Sequence, residues 1–125
     1  MEDRVLAEKT FAAFISQALA GEKVFGLQDK EGSWAVFPSA NDEKVDVVLF
    51  WSDRKIASHH VKAEWAGHRV TKIDLELFVG AWLRGMHEDG YLVGLNWDER
   101  LSGIEVAPIK VAKRLTEDVE AEEQD

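Results

Sequence analysis

Four histidines and one serine at a strand-to-helix corner are the residues of this chain whose types could do chemistry. His59 and His60 are neighbours, and on a helix adjacent side chains diverge by about 100 degrees, which does not suit chelation of one ion. Metal pairs on helices use spacings of three or four residues, and only His60 with Glu64 has one. His87-Glu88-Asp89-Gly90 lacks the second His that a metalloprotease helix carries four residues on. It reads instead as a helix end, with His87 near the last carbonyls and Gly90 allowing the reversal. Ser52 lies where a nucleophile elbow would hold its serine, but the context Phe50-Trp51-Ser52-Asp53-Arg54 lacks the flanking glycines that such a turn needs. An N-cap is the plainer use for it. With no Cys there is no thiolate nucleophile, disulfide or zinc-thiolate site. Gly26 and Gly32 are isolated, so no phosphate loop or dinucleotide fingerprint is present. The sequence thus shows no catalytic set, no metal site and no cofactor signature.

Two readings survive. The first is a small non-enzymatic binding domain. Trp51 and Trp97 each end an apolar strand and precede polar residues; if those strands are parallel neighbours, their ends form an aromatic-walled rim. Trp51, Asp53, Arg54, Asn96, Trp97 and Arg100 are the residues expected to line it, with core-margin packing as the competing use of the two indoles. The second reading is a small hydrolase or transferase using Asp53 with His59 or His60 as acid/base groups. It requires the pair to share a cleft. Arg54, Lys55, His59 and Lys62 form a basic helix face, which reads as a solvated surface.

The elements that must position these residues follow from periodicity. Ala7, Phe11, Phe14, Ile15 and Ala18 give a helix from about Asp3 to Ala20, stopped by Gly21. Strands follow at Lys23 to Gln28 and Ser33 to Phe37, around an Asp29 to Gly32 turn. Val45 to Trp51 is apolar on both faces after Asp46, the mark of a central strand. Ser52 and Asp53 cap a helix expected to run to Trp65, with Ala57, Val61 and Trp65 on one stripe. Arg69 to Ile73 is a strand, and Asp74 caps an amphipathic helix bearing Leu75, Phe78, Val79, Trp82, Leu83 and Met86. Strands at Tyr91 to Trp97 and Gly103 to Val106 precede a helix opened by Pro108 and running toward Leu115. The order αβββαβαββα predicts one α+β domain over residues 1–115, with helices packed on a mixed β-sheet of about five strands.

At 125 residues and 46% apolar content, with five Trp and six Phe, the chain can bury one core. Six of its acidic groups fall in the last ten residues, so the net charge of −9 belongs largely to a tail, 116–125, expected to be disordered. That charge disfavours nucleic acid. No stretch approaches the roughly 18 apolar residues of a membrane span. The N-terminal MEDRVLAEKT does not read as a secretory signal. A cytoplasmic protein is expected, with a protein or peptide as partner, or a second copy of itself.

FWSDRKIASHHVKAEW, followed after a strand by DLELFVGAWLRGMHEDGYLVGLNWDERLSGIEVAP, resembles the bacterial family called domain of unknown function 2750. The resemblance covers roughly Ala35 to Leu115. It implies a small soluble α+β domain and brings no activity, ligand or catalytic residue with it.

Overall fold

The run from Val47 to Trp51 is apolar at every position because its strand is covered on both faces. In the computed structural model, which describes residues 2–62, 65–98, 100–101 and 103–124 (side chains from Val5 to Glu117 within those ranges), this is β3, Asp46–Phe50. Val48 and Phe50 enter one core and Val47, Leu49 and Trp51 enter a second. Strand side chains alternate between faces, so two covered faces turn alternation into an unbroken apolar run.

Around β3 stand α1 (Glu2–Gly21), β1 (Lys23–Gln28), β2 (Val36–Pro38), α2 (Arg54–Ser58) and β4 (Arg69–Asp74). A continuous helical run follows: α3 (Leu75–Leu77), a π-helical stretch (Phe78–Trp82) and α4 (Leu83–Asp89). Then come β5 (Leu92–Leu95), β6 (Ile104–Val106) and α5 (Pro108–Gln124), the last running well past Leu115. With the helical run counted as one helix, the order is αβββαβαββα and the fold is α+β.

The strands form a four-stranded sheet, ordered β2-β3-β5-β6, and a two-stranded sheet of β1 and β4. Among the described residues only β3 and β5 are parallel; the other pairs are antiparallel. Backbone bridges stitch the sheets together. Phe25 and Trp51 exchange two N–H···O bonds of 2.8 Å, and Ala35 donates to Leu27 while accepting from Leu49. A mixed sheet of about five strands is therefore realised as six strands in two joined sheets. Phe14, Ile15 and Ala18 of α1 cover one face together with Phe78, Leu83 and Met86 of the helical run and Val111 and Leu115 of α5. Ala57 and Trp65 cover the other, over Trp51 and Trp97.

Two helices depart from their periodic reading. The helix after Asp53 stops at Ser58 rather than at Trp65. The Ser58 hydroxyl donates to the Lys55 carbonyl at 2.6 Å, and the chain leaves in tight turns, His60 N–H to Ala57 O and Lys62 N–H to His60 O. Ala57 and Trp65 still reach the core, so the same apolar spacing is met by a short helix and a turn. In the second case, Leu83 N–H bonds to Phe78 O, five residues back. A regular α-helix would bring Trp82 under Phe78. The wider turn gives that buried place to Leu83 and leaves Trp82 half-buried. Asp74 begins this run without a side-chain cap bond; its carboxylate lies 3.6 Å from the Lys72 ammonium instead.

Candidate functional site

Strand pairing brings the two expected strand ends together. β3 and β5 run parallel with Phe50 opposite Leu95, so Trp51 and Trp97 emerge at the same end of the sheet. Neither indole walls an open rim, however. Trp51 is 0% exposed and its Nε1–H donates to the Trp97 carbonyl at 2.9 Å. Trp97 is 3% exposed and its Nε1–H donates to the Ile104 carbonyl at 2.9 Å. A large apolar ring with its single polar group satisfied is best placed in the core, and that is where both lie. Trp97 also fits against Gly94 and Gly103: a Cβ on either would lie 2.7 Å from its Nε1 or 2.4 Å from its Cδ1.

The polar residues of the corner are likewise engaged with one another. Asn96 adopts φ 53, a left-handed conformation that Asn tolerates better than most residues. From there its Oδ1 accepts the Ser52 N–H at 2.9 Å and its Nδ2 donates to Ser52 Oγ at 3.0 Å. Ser52 Oγ in turn donates to Gln17 Oε1 of α1. Ser52 is therefore a joint between α1, β3 and the end of β5. Asp53, rather than Ser52, supplies the cap of α2, accepting from Lys55 N–H at 2.8 Å and Ile56 N–H at 3.3 Å. Arg54 and Arg100 are exposed; the Arg54 guanidinium lies 5.3 Å from the centre of the Phe25 ring.

The acid/base pairing of Asp53 with His60 is not assembled. His60 is 3% exposed, with Nδ1 3.0 Å from Ile56 O and Nε2 2.9 Å from Asp98 O. Its ring lies 4.6 Å from that of Trp51. Both acceptors are carbonyl oxygens, so the ring donates to each only when both nitrogens carry protons. His60 ties α2 to the segment after β5 and presents nothing to a cleft. His59 is exposed at the end of α2. Glu64, the spacing partner of His60, lies outside the described residues. Among the described residues, no group of three or more His, Asp or Glu could hold a metal ion, and no helix is long and apolar enough to cross a membrane.

The concave aromatic surface lies elsewhere. Between β2 and the helical run is a groove of about 520 Å³, floored by Val48 and Met86 and walled by Trp34 and Trp82. The two indoles meet edge to face, their centroids 4.5 Å apart and their planes at 88°. Ser33, Val36, Asp89 and Tyr91 also line it. The π-helical turn is what leaves Trp82 beside Trp34. Gly26 makes room for the opposite wall, since a Cβ there would lie 2.8 Å from the six-membered ring of Trp34. Gly85 lines the groove with open space around it.

Periodicity assigned Trp82 to the core stripe and left Trp34 in a short strand, so neither stood out. The available signals were Gly80 and Gly85, helix-weakening residues inside an otherwise amphipathic helix.

A family model described as a protein of unknown function (DUF2750) matches residues 11–115. The chain belongs to the DUF2750 family. The matched span includes β1 to β6, the closed strand-end corner and the groove. No curated protein matches this DUF2750 chain.

Proposed function

We propose that this DUF2750 protein is a small binding domain rather than an enzyme, and that its ligand lies in the groove between β2 and the π-helical turn. The observation that carries this reading is the groove itself, a concave apolar surface walled by two half-buried tryptophans. Its volume falls within the range of roughly 300–1,000 Å³ typical of small-molecule sites. The strand-end corner offers less, because its indoles are buried and Ser52, Asp53 and Asn96 bond to neighbouring groups. The acidic, cysteine-free composition suits a cytoplasmic protein.

Equilibrium dialysis against a small-molecule extract tests the reading, using the full chain and its Gly85→Leu variant. Leu at this position projects from a helix into open space and fills the groove without entering the core. The wild type should concentrate at least one compound that Gly85→Leu does not. Equal retention by both proteins, or none by either, contradicts the assignment.

A further inference from the structure

We infer that the groove, on the binding reading above, takes an organic cation: a substituted ammonium with an apolar body. The faces of Trp34 and Trp82 carry the negative side of the aromatic quadrupole, and the two planes stand at 88° to each other. A cation in such a corner is attracted by more than one ring. Tyr91 adds a third aromatic group to the lining that Asp89 shares. Among the described residues that line the groove, Asp89 alone is charged and none is basic.

Asp89 is also the last residue of α4, so the groove opens beside a helix C-terminus. A helix C-terminus carries roughly half a negative charge from its aligned peptide dipoles, which adds to the carboxylate. Val48 and Met86 on the floor offer no ring of oxygen ligands, so a hydrated metal cation gains little here. A methylated ammonium is weakly hydrated, fills apolar space and keeps its charge. Those are the properties that this surface rewards.

Choline and its neutral isostere 3,3-dimethylbutan-1-ol separate the charge from the shape. Each is titrated into the full chain while backbone and indole N–H signals are followed by NMR. Choline should shift the signals of Trp34, Trp82 and Tyr91, and the isostere should bind at least about five-fold more weakly. Asp89→Asn, an exposed change at a helix end, should weaken choline by a similar factor while leaving the isostere unchanged. Equal binding of both probes with no effect of Asp89→Asn overturns the cation assignment and leaves the groove as a binding site. No choline shift at tens of millimolar also overturns it; the dialysis comparison with Gly85→Leu then judges the binding reading separately.

Discussion

The indole N–H of Trp51 donates to the carbonyl oxygen of Trp97 across 2.9 Å, joining the ends of two parallel strands inside the core. Trp51→Phe removes the donor, strands that carbonyl and shrinks the ring, for an expected loss of about 1–3 kcal/mol. Trp51→Ala should cost about 3–5 kcal/mol. Urea unfolding measures both; a Trp51→Phe midpoint equal to the wild type would show that the bond contributes nothing.

Trp97 makes a second prediction through the glycines beneath it. A Cβ at Gly94 would lie 2.5 Å from Leu49 Cδ2, and one at Gly103 would lie 2.4 Å from Trp97 Cδ1. Gly94→Ala and Gly103→Ala should each lower stability by about 1–3 kcal/mol through overpacking. At Gly67 no atom lies within 4 Å of the added carbon, so Gly67→Ala should stay within about 0.5 kcal/mol of the parent. Thermal melts of the three variants compare them directly.

Asp53 is a helix cap, and its substitution should read as one. Its carboxylate accepts from Lys55 N–H and Ile56 N–H. Asp53→Ala should cost about 0.5–2 kcal/mol, and Asp53→Asn or Asp53→Ser should recover most of it. A loss that Asn and Ser do not rescue would point to a role for the carboxylate beyond capping.

His60 bridges Ile56 O and Asp98 O and packs against Trp51, so its removal should loosen the chain after β5. His60→Ala should destabilise the domain by about 2–4 kcal/mol, combining the lost polar contacts with a cavity. Amide exchange provides the specific readout. Protection should fall at Arg100 and Leu101 more than in β1, and uniform loss across the domain would argue against a local tie.

Much of the scaffold was legible in the sequence because local patterns determine it. β1 begins and ends at Lys23 and Gln28 as its turn residues indicate, and the two-sided apolar run marked β3 as central. The early end of α2 was not legible. Ala57 and Trp65 meet helical spacing and are equally buried by a turn, while the His60 bond to Asp98 O depends on a distant segment. The π-helical turn escaped for a related reason. Phe78, Trp82 and Leu83 satisfy two periodicities, and packing against the sheet decides which of the last two is buried. The parallel pairing on which the strand-end rim depended is present, but the closure of that corner was not legible, because no local pattern shows that an indole N–H has a carbonyl waiting in the core. The groove exists only where Trp34 meets Trp82 across the fold.

The five indole N–H signals, recorded by NMR while a panel of small organic fragments is added, distinguish the groove from the strand-end corner in one measurement. Trp34 and Trp82 should respond in the wild type and fall silent in Gly85→Leu, while Trp51, Trp65 and Trp97 stay unchanged throughout. Responses at Trp51 and Trp97 with Trp34 and Trp82 unmoved would contradict it.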